Sequence, residues 1–481
     1  MVMNRLNIVI LAAGKGTRMY SNKPKVLHQL AGKPLLQHVI NCAKLLNPLK
    51  IVVVYGYGGD VVPQAFMHEN ITWVEQTEQL GTGHAVQQAM PYLDEDATTL
   101  ILLGDVPLLS VDSCKRLLDQ TEELGLLTFI KPDPTGYGRI VRNSEGIVTA
   151  IIEHKDATSA QREIKEVNTG IITAKNKHLA SWLKRLTNDN AQGEYYLTDI
   201  VAMAKLEDEI AVREIADDES STDGWLGLSN KKFMIATEVS HDEASVTGVN
   251  SKKDLADLER TYQKRYADCL LQAGVTLLDP LRLDVRGELN VGKDVEIDVG
   301  CVFEGKVTLG DNVKIGAYCV IKNAVIALGA QIAPFTHIDD TQIGENSRIG
   351  PYARLRPGTR LAADTHIGNF VELKNAQVDV GSKINHLSYV GDSTVGKNVN
   401  IGAGTITCNY DGANKFRTVI EDNAFIGSDS QLVAPVTIGR GATIAAGSTI
   451  TKDAPADQLT FCRAKEQKSI AGWTRPVKIK K

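Results

Sequence analysis

Residues 420–450 read IEDNAFIGSDSQLVAPVTIGRGATIAAGSTI. Aliphatic residues stand at Ile420, Ile426, Leu432, Ile438, Ile444 and Ile450, each six apart. The same spacing runs upstream through Val291, Ile297, Phe303, Leu309, Ile315 and Ile321, and again through Ile343, Ile349, Leu355, Leu361, Ile367 and Leu373. Glycine often follows the aliphatic residue, as at Gly316, Gly344, Gly396, Gly402, Gly427 and Gly439. A six-residue period held over about 160 residues is neither a helix face nor one ordinary strand. It is the hexapeptide signature of a parallel β-helix. Each hexad supplies one short side of a triangular coil, with the aliphatic residue inward and small or polar residues at the corner.

Upstream the pattern differs. Leu6–Ala13, Lys50–Tyr55 and Thr99–Leu103 are apolar runs, with helical spacing over Leu35–Leu46 and Gly83–Met90 between them. Such alternation predicts βαβ units on a mostly parallel sheet. Ligands then sit at the carboxyl ends of the strands. Ser251 and Asp254 make a capping-box pattern. Leu255, Leu258, Tyr262, Tyr266 and Cys269 follow at helical spacing, and Gly274 stops the helix. Leu206–Val249 is acidic early and turn-rich, a surface excursion before that helix.

Composition bounds the function. A chain of 481 residues holds roughly two to four domains. Hydrophobic residues at 43% and charged residues at 23% suit a soluble globular protein. The net charge of -5 argues against a nucleic-acid binder working by bulk electrostatics. With 41 Gly, 15 Pro and only 5% aromatics, the chain suits many small turns on an aliphatic core. No apolar run approaches the length of a membrane span. Leu6–Ala13 is too short for a signal core, and Lys15 and Arg18 follow it. Seven cysteines without a CxxC pair predict reduced thiols and a cytoplasmic location.

The first chemical motif is Leu-Ala-Ala-Gly-Lys-Gly-Thr-Arg-Met, residues 11–19, directly after the first strand. It is neither a Walker A loop nor G-x-G-x-x-G. Gly14 and Gly16 still let backbone N–H groups approach an anion, and Arg18 and Lys25 add fixed charge. That set suits a triphosphate.

With Pro24-Lys25, this motif resembles the signature of the sugar-phosphate nucleotidyltransferases. Gln76 with Leu80-Gly81-Thr82-Gly83 is similar to the segment that reads uracil in the uridylyl members. Gly104-Asp105-Val106-Pro107 stands where these enzymes keep a metal-binding Asp. Followed by a hexapeptide β-helix, nearly the whole chain resembles the bacterial family of bifunctional N-acetylglucosamine-1-phosphate uridyltransferase/glucosamine-1-phosphate acetyltransferases. Tyr137-Gly138-Arg139, Glu153-His154-Lys155, Val167-Asn168-Thr169-Gly170, residues 193–199 (GEYYLTD) and Gly248-Val249-Asn250 match in order. Leu103 departs from the pattern, since a Tyr is common there.

The resemblance implies an N-terminal α/β nucleotidyltransferase domain, Rossmann-like with a mostly parallel sheet, over 1–250. A linker helix over 251–274 and a left-handed parallel β-helix acetyltransferase domain with a C-terminal tail over 275–481 complete it. It implies Mg²⁺ on Asp105 and Asn250, with UTP and acetyl-CoA as co-substrates. Leu11, Ala12, Ala13, Gly14, Lys25, Gln76, Gly81 and Thr82 would bind the nucleotide, with Arg18 and Lys25 as catalytic cations. Gly138, Glu153, Asn168 and Tyr196 would hold the acetamido sugar.

In the β-helix, residues 383–391 (KINHLSYVG) and 401–412 (IGAGTITCNYDG) resemble the acetyltransferase segments. An amine attacking a thioester must lose a proton, and His titrates near neutrality. The resemblance therefore makes His386 the base. Arg356, Lys374, Tyr389 and Asn400 would bind the sugar phosphate, with Asn409 and Tyr410 near the acetyl group. Ala403, Ser428, Ala446 and Arg463 would line the coenzyme A site. Homotrimers sharing that site between subunits are implied too, acting on glucosamine-1-phosphate and N-acetylglucosamine-1-phosphate. The tail beyond Gly472 carries Arg475, Lys478, Lys480 and Lys481, which contact a neighbour or are solvated. The alternatives are a single-activity nucleotidyltransferase whose β-helix only regulates or oligomerises, and a non-enzymatic scaffold like some translation-factor exchange subunits. His386 speaks against the first, and Arg18, Lys25 and Asp105 against the second.

Overall fold

The computed structural model describes residues 5–207, 235–463 and 469. The basic tail and residues 208–234 of the Leu206–Val249 stretch lie outside the described residues. The described end of that stretch is not the expected surface excursion: Ile235–Ser240 pairs with Leu124–Ile130 as an edge strand of the sheet, and Val246 and Val249 are buried, because their apolar side chains complete the core. The chain divides into two compact units, Met1–Tyr262 and Gln263–Lys481.

Unit 1 is built on a nine-stranded mixed sheet. Its strands are β1 (Leu6–Ala12), β2 (Lys50–Tyr55), β3 (Thr72–Glu75), β4 (Thr98–Leu103), β5 (Leu124–Ile130), β6 (Arg139–Arg142), β7 (Val148–Ile152), β8 (Glu166–Lys175) and β9 (Ile235–Ser240). The order is β9-β5-β8-β4-β1-β2-β3, with the β6–β7 hairpin pairing off β8. Pairing is parallel from β4 through β1 and β2 to β3, and between β9 and β5. β8 runs antiparallel to both its neighbours. A strand inserted in that sense needs no crossover helix, so apolar runs alone do not reveal its direction.

β1 is buried on both faces, as a central parallel strand should be. Ile8 and Ile10 pack with Leu36, Val39 and Ile40 of α1 (Leu35–Lys44). Val9 points the other way, toward Val86 of α2 (Thr82–Ala89) and Trp182 of α4 (Asn176–Arg185). On the first side α3 (Val111–Gln120) adds Cys114 and Leu117.

α5 (Lys252–Gln272) opens on the reciprocal cap expected at Ser251. Asp254 N donates to Ser251 Oγ at 3.2 Å, and Ser251 N donates to Asp254 Oδ2 at 2.9 Å. In unit 1, Leu258 packs with Met19, Leu30 and Val249. In unit 2, Gln263 exchanges hydrogen bonds with the backbone of Val285, and Ala267 and Leu270 join the coil core. Gly274, at φ +90°, ends the helix.

Unit 2 is a parallel β-helix. Three columns of inward side chains stack in register. Ile297, Ile315, Ile332, Ile349, Ile367, Ile384, Ile401, Ile426 and Ile444 form the first. Phe303, Ile321, Ile338, Leu355, Leu373 and Val390 belong to the second. Leu309, Ile326, Ile343, Leu361, Val378, Val395, Ile420 and Ile438 form the third. All are buried in one continuous core.

The glycines after the aliphatic residues have a steric cause. A Cβ on Gly402 would lie 2.6 Å from Ser428 N, and one on Gly427 2.4 Å from Ala446 N. Successive coils approach too closely at those corners for any side chain.

Corner chemistry is unequal. Asp294, Asn312, Asn346, Asp364, Asn398 and Asn423 hold the left-handed conformation at one corner, and Asn323, Asp340, Asn375 and Asp392 at another. These residues tolerate it. The third corner instead carries Tyr318, Phe335, Tyr352 and Phe370, at φ 56–60°. Their rings stack at centroid separations of 5.4, 5.0 and 5.3 Å.

Candidate active sites

The first site opens at the carboxyl ends of β1 and β4, in a cavity of about 820 Å³. Leu11, Arg18, Thr82, Leu103, Asp105, Gly138, Glu153, Asn168 and Asn250 all line it. Ala12 and Ala13 are buried at the end of β1, and Ala12 Cβ would stand 3.2 Å from a Cβ on Gly104. That close approach sets the loop holding Asp105 beside β1. Gly14 has open space around it, as an anion-binding turn needs.

Lys25 Nζ forms an ion pair with Asp105 Oδ2 and donates to Asn250 Oδ1 at 3.4 Å. Two oxygens from separate segments thus converge on one cation position. Mg²⁺ prefers such oxygen donors and completes its shell with waters and substrate phosphates. Asp105 and Asn250 therefore fit it. Among the described residues no cluster of three or more His, Cys, Asp or Glu side chains forms a fuller metal cage.

Gln76 is buried, donates to Gly81 O at 3.1 Å and lies 3.0 Å from His84 Nδ1. Gly81, at φ +109°, precedes α2, and a Cβ there would strike Tyr195 O at 2.7 Å. The Gln76–Gly81 segment is thus pinned against residues 193–199.

Arg139, a fully buried guanidinium, stands beside Gly138. It donates to Tyr137 O and, at 3.4 Å, to Arg162 O, drawing the β6–β7 hairpin and the following turn together. A Cβ on Gly138 would lie 3.3 Å from Glu153 Oε1. Burial pushes the Glu153 carboxyl above its ordinary range, and nearby Asp156 and Asp199 push the same way against a hydrogen bond from Thr198. Asn168 Oδ1 accepts from Gly170 N at 3.0 Å. Tyr196 is placed differently: its hydroxyl takes a hydrogen bond from Gln192 at 2.9 Å and reaches Asp156 at 3.4 Å, off the cavity lining. Thr198 lines the cavity in its stead and donates to Glu153 at 3.3 Å. It sits inside the matching GEYYLTD stretch, so the signal was present. Leu103 packs over Gly170, where a Cβ would meet its Cδ1 at 2.6 Å.

The second site lies on the β-helix. His386 is exposed, and its Nδ1 is 2.8 Å from Asn369 Oδ1. The amide oxygen can only accept, so Nδ1 donates here, and in the neutral ring the lone pair then lies on Nε2. The corner bearing His386 continues upward: Gly404 N donates to His386 O, Asp429 N to Ala403 O, and Gly447 N to Ser428 O. His386, Ala403 and Ser428 thus rise along one corner, and Ala446 stands one coil above Ser428 beside Gly447. Arg463 is exposed near the end of the described coils.

Tyr389 pairs with Glu372 and Ile406 on the adjoining face, while Asn400 pairs with Lys383 and Phe425 on another. Arg356 contacts Glu372 at 2.8 Å. Coil spacing then stretches. Residue partners separated by 17 or 18 positions elsewhere are 25 apart around Lys397 and Asp422. The extra length is a small turn in which Tyr410 pairs with Lys415 and Phe416 N donates to Asn409 O at 2.9 Å.

Asp392 anchors that turn, accepting from Asn409 Nδ2, and from Asn375 Nδ2 at 2.7 Å. Burial raises its carboxyl, but these hydrogen bonds and the Lys374 and Lys415 ammoniums outweigh it and hold Asp392 below the usual range. Lys415 in turn pushes Lys374 down, through their direct contact first. Lys415, which the sequence did not single out, thus brings a second cation beside Lys374. Tyr410 is exposed, its hydroxyl donating to Gly412 O at 2.6 Å.

Comparison with known proteins follows this division. The MobA-like NTP transferase domain matches residues 8–167. The GMPPB C-terminal domain matches 285–378, and the six-repeat bacterial transferase hexapeptide matches 417–452. A protein of Methylobacillus flagellatus named "Bifunctional protein GlmU" is 66% identical over 478 residues, 99% of each chain. Proteins of the same name from Nitrosospira multiformis and Cupriavidus pinatubonensis are 56% and 57% identical over nearly their whole lengths. The chain belongs to the bifunctional GlmU family. Its membership covers both units, so the nucleotidyltransferase fold and the hexapeptide coil are parts of one family architecture.

Proposed function

We propose that the chain makes UDP-N-acetylglucosamine in two steps at two separate sites. At the β-helix site, acetyl-CoA acetylates glucosamine-1-phosphate. His386 Nε2 accepts a proton from the amine, the nitrogen bonds to the thioester carbonyl carbon, and the C–S bond breaks to release coenzyme A as the thiol. Arg356 and Lys374, with Lys415, bind the phosphate. Ala403, Ser428, Ala446 and Arg463 accommodate the coenzyme, and Tyr389, Asn400, Asn409 and Tyr410 surround the sugar and acetyl group.

At the unit 1 site, an oxygen of N-acetylglucosamine-1-phosphate attacks the α-phosphorus of UTP and pyrophosphate leaves. This chemistry needs positioning and charge neutralisation more than covalent help. Arg18 and Lys25 supply positive charge, Gln76, Gly81 and Thr82 read the base, and Gly138, Glu153 and Asn168 hold the sugar. Mg²⁺, held by Asp105 and Asn250, would neutralise charge on the phosphates.

The observation that carries the reading is the meeting of Arg18, Asp105, Glu153 and Asn250 in one cavity, while His386 and the Lys374–Lys415 pair stand in the other unit. Full-length relatives named bifunctional favour two activities over one. The functional division is 1–250, 251–274 and 275–481, and the active assembly is a homotrimer in the cytoplasm. No helix among the described residues is long and apolar enough to cross a membrane. The test is purified protein with glucosamine-1-phosphate, acetyl-CoA, UTP and Mg²⁺. Free thiol and pyrophosphate both rise if the reading holds; the appearance of only one contradicts it.

A further inference from the structure

Lys25 pairs with Asp105, which lines the unit 1 cavity, and their side chains are only 14% and 15% exposed. Each is held there. A Cβ on Gly16, at φ +62°, would lie 2.7 Å from Lys25 Cβ, and one on Gly248 would lie 3.2 Å from Asp105 Oδ2. Asp105 O also accepts from Val249 N at 2.9 Å, which ties its loop to the segment ending at Asn250. The ammonium therefore occupies the point on which both candidate metal-ligating oxygens converge. An ammonium and a divalent cation cannot share that point, because like charges at such range repel strongly where water is scarce.

Building on the metal reading above, we propose that Lys25 and the divalent cation compete for Asp105, so that metal uptake is coupled to the transfer of Lys25 onto the nucleotide phosphates. Phosphate oxygens bound in the cavity that Asp105 and Asn250 line would offer Lys25 another anionic partner. Once it moves, the Asp105 and Asn250 oxygens are free for the cation. By reciprocity, a cation on Asp105 drives Lys25 toward the phosphates. Lys25 then does two jobs: it guards the metal ligands, and it neutralises the nucleotide only once the metal is in place.

The test is Mn²⁺ titration of nucleotide-free, full-length protein followed by electron paramagnetic resonance. Asp105→Ala should lose the site. Lys25→Met should bind Mn²⁺ at least several-fold more tightly than the unsubstituted chain. Arg18→Met removes the same charge from the same cavity without touching Asp105, and should change affinity much less. Equal gains in the two cation variants, or none in Lys25→Met, overturn the competition while leaving the metal site standing. Binding that survives Asp105→Ala overturns the metal assignment and the competition with it. A second readout needs no variant: Mg²⁺ should raise acetic anhydride labelling of Lys25 relative to other lysines, measured by mass spectrometry. Labelling indifferent to Mg²⁺ contradicts the proposal.

Discussion

Single side chains divide the two chemistries. Asp105→Ala should abolish pyrophosphate release and leave acetyl transfer nearly intact, read by parallel thiol and pyrophosphate assays on the same preparation. His386→Ala should do the reverse, slowing acetylation by about 10²–10⁴-fold, the usual cost of losing a general base. Survival of acetylation within a few-fold would make His386 structural. Glu153 offers a pH-dependent test. Burial raises its folded-state carboxyl above the unfolded value. Its contribution to stability is thus complete below the unfolded pKa and is lost as pH rises through the folded one. Glu153→Gln should therefore melt higher than the parent chain, by a margin that grows as pH rises above the ordinary glutamate range, about 4.3, while its KM for the sugar phosphate rises. An unchanged margin as pH rises would contradict the assignment of burial as the cause.

Elements show where sequence sufficed. The hexad positions become the inward columns, only Val291 at the first coil staying partly exposed, because a triangular coil has no other place for an aliphatic residue every sixth position. β1, β2 and the start of α1 fall within a residue of expectation. Motifs legible as local strings, such as residues 11–19, lie where their βα turn places them. What stayed hidden depends on distant pairing. The reversed β8 and Arg139's hold on the turn after β7 leave no periodic trace, and Lys415 approaches Lys374 from the inserted turn that Asp392 bonds through Asn409. The aromatic corner gives an element-scale prediction. Phe335 stacks on both Tyr318 and Tyr352. Phe335→Ala should lose about 1–3 kcal/mol, from two aromatic contacts of about 0.5–1.5 kcal/mol each. Phe335→Asn should lose less, since Asn accepts the left-handed backbone. Urea unfolding of both variants reads this, and equal losses would contradict the role given to backbone strain. Gly368 lies beside Asn369, the partner of His386, and a Cβ on it would stand 2.0 Å from Asn385 O. Gly368→Ala should displace that coil and lower acetylation at least tenfold while sparing pyrophosphate release.

At the scale of the whole molecule, each unit has its own core. A fragment of residues 1–266 should fold as a monomer and release pyrophosphate. One of residues 251–481 should be trimeric by light scattering and acetylate glucosamine-1-phosphate unaided; a monomer acetylating at full rate would contradict the shared-site assembly. Under the proposed function, two independent sites act in sequence through a diffusible intermediate. This is tested most directly by mixing purified Asp105→Ala and His386→Ala proteins with glucosamine-1-phosphate, acetyl-CoA, UTP and Mg²⁺, and measuring UDP-N-acetylglucosamine. Neither variant alone should form it at more than a trace. The mixture should form it at a substantial fraction of the unsubstituted rate, because one protein makes the intermediate that the other consumes. A mixture as inactive as its components would contradict the account.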